Sequence, residues 1–301
     1  MTTHTGTSET EGMSPSATTE SLPPWRLAWQ RLRRNRAAAG ALVFLGMIAF
    51  ACVFAPLVLP WDYATQNRVL GPVPPCTAHW LGTDTLGRDL LVRCLQGGQI
   101  SLQIALIATV VSTFIGIAYG LTAGWVGGRT EMFMIHAVDV LCALPFTLLV
   151  ILLTVIFGQD LFWIYMAVGA VSWLSMARIV RAQTCSLKTR PFVEAALCLG
   201  QTPRRILMRH LLPNLAGVIV VHATLTAPAV MLTEAFMSFL GLGVRAPMTS
   251  WGLLIKEGAD VMEEFPWLLI FPSLAFSATL FALNFLGDGL RDALDPRAGN
   301  A

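Results

Sequence analysis

The sequence predicts an all-α integral membrane protein, a bundle of six transmembrane helices carrying a helical loop on one side. Three observations point there. Of 301 residues, 55% are hydrophobic and 13% charged, against about 25% charged in an ordinary soluble domain. The apolar residues gather in uncharged runs long enough to cross about 30 Å of hydrocarbon. The arginines cluster between those runs. A net charge of +2 gives no global basic field, so nucleic acid is not an expected partner.

In chain order, Met1 to Ser21 is rich in Thr, Ser and Glu with no apolar run, so residues 1–23 are expected to form a disordered tail without a cleavable signal. Pro24 to Arg36 sets Trp25, Trp29 and Leu32 on one helical face among five arginines. That is the composition of a helix lying in the headgroup layer. Ala37 to Leu59 is then uncharged over about 23 residues, enough for a first span, and Pro60 and Trp61 end it. Residues 60–98 form the first external loop. Further spans are expected at Ile100–Ala123, Phe133–Phe157, Leu161–Ala177, Leu215–Leu240 and Trp267–Gly287, inside a transmembrane domain of residues 99–288.

An even number of spans puts both termini on one side. About three quarters of the Lys and Arg lie before the first span, near Arg129, in Arg178–His210 and after Gly287, so those segments, with the tail 289–301, are expected in the cytoplasm. In the second span Ala108, Ser112, Gly116, Gly120 and Gly124 recur every four residues, a stripe that admits a close helix neighbour. Pro145, Pro228 and Pro272 lie within spans and permit kinks. The six cysteines form no CxxC pair and no metal-ligand spacing. Cys76 and Cys94 share the external loop, where an oxidising compartment permits a disulfide.

The longest cytoplasmic loop, Arg178 to Asn214, reads as two short helices. Pro191 opens the first, Phe192, Ala195, Ala196 and Leu199 share an apolar face, and Gly200 closes it. Thr202 and Pro203 start the second, and Pro213 is expected to stop it. Small alanines on the first face suit a groove on a soluble partner, although an interfacial helix without a partner fits the periodicity equally.

Glu194, Ala195, Ala196, Gly200, Leu212 and Pro213 resemble the EAA signature of type I permease subunits of bacterial ABC importers, the MetI-like fold, with His210 at the pattern's isoleucine place. HWLGTDTLGRDLLVRCLQGGQISL at His79–Leu102, then SFLGLG, SWGLLI and NFLGDGLRDALDP, resemble the C-type subunit of the peptide and nickel branch, near the oligopeptide and dipeptide permeases. The resemblance implies that residues 190–213 form a coupling loop seated on an ATP-hydrolysing subunit. It further implies a homologous B-type permease as the other pore half, two ATP-binding subunits, a periplasmic substrate-binding protein, and short peptides as cargo, with nickel or antimicrobial peptides as alternatives. The location implied is the bacterial inner membrane, and no cofactor is implied.

Within the external loop, Thr85 or Asp84 is expected to cap a helix ending at Gly97. Asp84, Arg88 and Asp89 are candidate contacts for the binding protein or members of internal ion pairs. No GxxxxGK[ST] loop surrounds Lys188 or Lys256, HExxH is absent, and Phe285 stands where a GxGD protease would need glycine. Enzymatic activity is therefore not expected. A secondary transporter would need ionisable groups near the midplane, yet Asp139 and His222 lie near the inner ends of their spans. Glu234 lies deeper, either facing the pore or bonded to a neighbouring helix through Thr233, Ser238 or a partner subunit.

Overall fold

The structure is a computed structural model that describes residues 24–157 and 161–294. The expected disordered tail and the last seven residues lie outside the described residues. The elements are α1 (Pro24–Arg34), α2 (Arg36–Val58), α3 (Leu90–Val126), α4 (Gly128–Ala143), α5 (Phe146–Phe157), α6 (Leu161–Lys188), α7 (Pro191–Cys198), α8 (Pro203–Ile206), α9 (Leu212–Phe239), α10 (Trp251–Asp260) and α11 (Trp267–Leu294). A single π-helical turn, Leu207–Leu211, joins α8 to α9.

Among the described residues four helices are long and apolar enough to cross a bilayer: Arg36–Phe54, Leu90–Val126, Pro203–Phe239 and Trp267–Leu294. The pair α4 and α5 makes a fifth crossing if counted together, but the two are bent by 90°. The break falls at Leu144 and Pro145, where Leu144 adopts an extended conformation, as a residue before proline prefers. The remaining expected crossing, Leu161–Ala177 and fourth in chain order, corresponds to α6. Its 28 residues span about 42 Å at the α-helical rise, so it continues past Ala177 through residues that the sequence assigned to the loop. Pro228 and Pro272 are buried inside α9 and α11.

Helix α3 packs along α6 more extensively than any other pair of elements, with α9, α11 and α2 around them. The small-residue stripe is the reason. Ala108, Ser112, Gly116, Gly120 and Gly124 are all buried on α3. A Cβ at Gly116 would lie 2.5 Å from Met176 Cβ, at Gly120 2.6 Å from the Ala177 carbonyl, and at Gly124 2.7 Å from Thr184 Cβ. Such spacing leaves room for hydrogen alone, so backbone meets backbone and dispersion contacts multiply. Large apolar side chains such as Leu106, Phe114 and Phe281 remain exposed, as they should where lipid or another membrane subunit completes the surroundings.

The amino-terminal helix does more than lie in the headgroups. Leu32 is buried with Ala38 against Ala293 and Leu290 of α11, while Trp29 stays exposed with the Arg33 guanidinium 4.9 Å from its ring. Asn35 separates α1 from α2. Its side-chain oxygen accepts from the amides of Ala37 and Ala38 at 3.1 and 3.3 Å, supplying the first turn of α2 with a cap.

Gly97 does not end a helix. Asp89 caps α3, accepting from Val92 N at 3.0 Å, and the helix runs on for 37 residues. A Cβ at Gly97 would approach the Ser250 backbone to 3.0 Å, and one at Gly98 would approach the Trp251 ring to 2.5 Å. Both glycines are therefore packing positions for the segment that starts α10.

Gly120→Val should destabilise the bundle by about 1–3 kcal/mol, because the added side chain meets backbone that cannot turn aside. Gly46→Ala, with nothing among the described residues within 4 Å of the added carbon, should be neutral or slightly stabilising. Thermal unfolding of the detergent-solubilised protein checks the pair, and equal melting temperatures would contradict the packing account.

Candidate functional site

The end of the bundle at which α3, α4 and α6 meet is built to hold a short helix. Lys188, on the last residue of α6, donates to the Trp125 carbonyl at 2.5 Å and stands 5.5 Å from the Trp125 ring centre, so a cation meets the carbonyl end of α3. Arg181 pairs with Glu131 of α4. These contacts lock α3, α4 and α6 together where the chain turns into α7.

Helix α7 starts with Pro191 at its first position, where a missing N–H costs nothing. It ends in a Schellman motif. Gly200 has φ +70, its N–H donates to the Leu197 carbonyl at 2.9 Å, and the Gln201 N–H reaches back to the Ala196 carbonyl at 3.1 Å. The Gln201 side-chain oxygen lies 3.0 Å from His210 Nε2, so His210, at the place where the family pattern has isoleucine, ties this turn to the π-helical turn by a polar contact.

Two faces of α7 have different fates. Val193 and Ala196 are buried against Ile206 and Leu211, whereas Phe192, Glu194, Ala195, Leu197 and Leu199 are exposed, Leu199 at 79%. The sequence placed Ala196 with Phe192, Ala195 and Leu199. The structure instead turns Ala196 inward and leaves the other three as an open apolar strip outside the bundle. Leu212 is half-buried and Pro213 exposed.

Pro213 does not stop the second helix. The preceding π-helical turn lets the Leu212 N–H donate to the Leu207 carbonyl, five residues back, and α9 proceeds with Pro213 in its first turn. Widening the ladder just before the proline removes the need for the hydrogen bond that proline cannot make.

At the other end, Asp84, Arg88 and Asp89 are all buried, at 4%, 7% and 5% exposure. Asp84 accepts from the amides of Leu86 and Arg88, both at 2.9 Å, and from Arg88 Nε and Arg93 Nη1, both at 2.6 Å. Arg93 also donates to Glu257 of α10 at 2.8 Å. Asp89 caps α3 with one oxygen and meets His79 Nδ1 at 2.8 Å with the other. The three candidate binding-protein contacts are thus engaged inside the chain, in a network whose other members, His79, Arg93 and Glu257, sequence reasoning missed. Arg93 stood within the GRDLLVR motif, but nothing local announced a partner 164 positions away.

Glu234 is 1% exposed and lies between helices. Its two oxygens accept from Ser238 Oγ at 2.7 Å and Ser101 Oγ at 3.2 Å. Ser101 in turn accepts from the Trp251 amide at 3.2 Å. Ser238 lies 3.3 Å from Ser250 Oγ, which accepts from the Leu253 amide at 3.2 Å. Each carboxylate oxygen is thereby linked through serine hydroxyls to an amide at the start of α10, a favourable place for acceptors.

Cys94 is buried within α3 and Cys76 is exposed on the loop; both are free thiols, so the permitted disulfide is not formed. Burial, then the adjacent Glu131 carboxylate, pushes the Cys185 thiol up from its ordinary value.

The family profile described as "Binding-protein-dependent transport system inner membrane component" matches residues 116–300, and that described as "N-terminal TM domain of oligopeptide transport permease C" matches residues 23–72. Over 275 residues the chain is 46% identical to the oligopeptide transport system permease protein OppC of Haemophilus influenzae, covering 91% of this chain and 88% of that protein. It is 45% identical over 289 residues to OppC of Escherichia coli strain K12, covering 95% and 96%. With the dipeptide transport system permease protein DppC of Bacillus subtilis it shares 41% identity over 271 residues, covering 90% and 85%. A solved chain of the MetNI methionine ABC transporter, in an inward-facing conformation, superposes with a TM-score of 0.53 at 19% identity, over 67% of this chain and 96% of that one. That likeness concerns the fold alone. With one profile matched over more than half the chain and identities above 40% along nearly all of it, the chain belongs to the family of binding-protein-dependent transport system inner membrane components.

Proposed function

We infer that this chain is a pore-forming permease subunit of an ATP-driven importer of short peptides. The observation that carries the reading is the identity of 41% to 46%, over at least 85% of each partner, with proteins named for oligopeptide and dipeptide transport. The chain supplies pore and docking surface, and catalyses no reaction itself.

A homologous second permease completes the pore, two ATP-binding subunits sit on the cytoplasmic face, and a substrate-binding protein delivers peptide from outside. The open strip of Phe192, Ala195 and Leu199 supports docking of α7 on an ATP-binding subunit, since apolar side chains outside the lipid-facing bundle gain about 25 cal/mol per Å² when a partner covers them. Glu194, in the first turn of α7, complements the helix dipole and can accept a hydrogen bond from that partner. ATP binding draws the docked helices together and opens the pore outward; hydrolysis returns it. Both termini face the cytoplasm of a bacterial inner-membrane protein, as the clusters Arg26–Arg36 and Arg178–Arg209 support.

Alkaline phosphatase fused after Arg297 should be inactive, and the same enzyme inserted near Pro74 active. The opposite pattern would reverse the orientation.

Gly200→Val should abolish coupling while the spans still assemble. Nothing among the described residues lies within 4 Å of the added carbon, so the whole effect comes from φ +70, which costs a β-branched residue on the order of 1–2 kcal/mol and redirects the chain between α7 and α8. Peptide uptake by the reconstituted complex should fall at least roughly tenfold, with co-purification of the second permease unchanged. Normal uptake would show that α7 is not the coupling element.

A further inference from the structure

A cavity of about 250 Å³ lies at the end of the bundle remote from α7, between the exit of α2 and the start of α3, with Pro60, Trp61, Asp62, His79 and Asp89 in its walls. The Trp61 and His79 ring centres are 4.9 Å apart, and Trp61 is 44% exposed. His79 Nδ1 meets Asp89 Oδ2 at 2.8 Å, while Asp89 Oδ1 accepts from the Val92 amide. An ionised carboxylate only accepts, so Nδ1 carries the ring proton and Nε2 of the neutral ring is left with a lone pair. Nε2 has no bonded partner among the described residues, and 12% of the His79 side chain stays accessible. Asp62 is exposed, with one oxygen accepting from Thr65 Oγ1 at 3.3 Å and the other unengaged among the described residues.

Two free acceptors beside an indole ring suit a primary ammonium, whose N–H groups meet the acceptors while its charge is drawn to the aromatic face. The surface leading to the cavity indicates what carries that ammonium. On α2, Val43, Met47, Phe50 and Phe54 follow one another at helical spacing, are exposed at 60%, 60%, 63% and 49%, and end with the Phe50 and Phe54 rings 4.4 Å apart. This stripe is about 16 Å long at the α-helical rise, close to one leaflet's half of an about 30 Å hydrocarbon core. It stops just short of Pro60 and Trp61. An acyl chain lying on it therefore brings its headgroup level with the cavity, whereas a lysine from a soluble partner would use none of the stripe.

We propose that this cavity binds the headgroup of an ethanolamine phospholipid, with the ammonium held by Asp62 and His79 Nε2 against Trp61 and an acyl chain along α2. The Trp61 indole N–H has no partner among the described residues and is left to donate to the phosphodiester. A choline headgroup has no N–H and forgoes both ammonium hydrogen bonds. A glycerol headgroup brings a net negative lipid to a carboxylate. The site thus prefers ethanolamine over either, and through Asp89 the bound headgroup is tied to the cap of α3. The proposal uses the membrane fold alone and stands apart from the peptide-importer reading.

The test uses the full-length chain, purified in detergent together with its second permease and stripped of lipid. Native mass spectrometry with equal amounts of dioleoyl phosphatidylethanolamine, phosphatidylcholine and phosphatidylglycerol should show phosphatidylethanolamine retained most tightly. Asp62→Asn and Trp61→Ala, both at exposed positions, should each weaken that lipid about tenfold through loss of one charge-assisted contact, and Asp62→Glu should recover most of it. Asp260→Asn, at an exposed acid outside the cavity, should change nothing. Equal retention of the three lipids, or unchanged phosphatidylethanolamine binding in both Asp62→Asn and Trp61→Ala, overturns the proposal. Displacement of the lipid by saturating substrate-binding protein also overturns it, by giving the cavity to a soluble partner. Failure of the reconstituted complex to import peptide would count against the importer reading and leave the lipid result as it stands.

Discussion

Backbone contact between α3 and α6 is the constraint on which both ends of the molecule depend. Three glycines, each with no space for a methyl group, set the distance between these helices along their inner halves. At the inner end the same two helices are fastened by Lys188 on the Trp125 carbonyl, and α7 starts three residues later. At the outer end α3 brings Asp89, Arg93 and Ser101 to the loop and to α10. Helix α7 and the Asp84 cap are therefore mounted on one rigid pair, and displacement of one helix against the other would disturb both.

The outer cap solves a problem of buried charge. An ionised carboxylate or guanidinium loses several kcal/mol of hydration on burial and recovers it only with good geometry and further hydrogen bonds. Asp84 receives four donors, two of them backbone amides, so its lone pairs are filled. Glu234 lies among hydroxyls with no cation bonded to it among the described contacts, and its oxygens act on the start of α10 through serines. The first arrangement fixes a loop, and the second fixes how α10 leans on α3 and α9.

How much of this was legible in the sequence depended on the range of the interaction. Helix α7 was written locally: Pro191 at the start, Gly200 at the end, and Thr202 with Pro203 beyond are signals that act within one or two turns. The α3–α6 stripe was also legible, since its four-residue spacing is a property of α3 alone. Gly97 and Pro213 misled because one residue type has two uses. Whether glycine ends a helix or admits a neighbour is decided by Ser250 and Trp251, far along the chain, and whether proline stops a helix is decided by the π-helical turn before it. The face of α7 was half legible: the apolar period was visible, but Ile206 and Leu211 determine which apolar residues are covered. The polar network of the cap was legible only in its local part: Asp84 and Arg88 stood as candidates for an internal ion pair and form one, whereas Arg93 and Glu257 meet only after the whole bundle has formed.

The π-helical turn at Leu207–Leu211 has a mechanical consequence. Around it the regular ladder is widened by one residue, and Pro213 offers no amide to restore it. Bending stiffness in a helix comes largely from that ladder, so this is a soft point between α7 and α9. Val193, Ala196, Ile206 and Leu211 form their own small core on the near side. A push on α7 then moves that core as one body and arrives at α9 as a change of tilt, much as a universal joint passes force between two shafts without requiring them to stay in line.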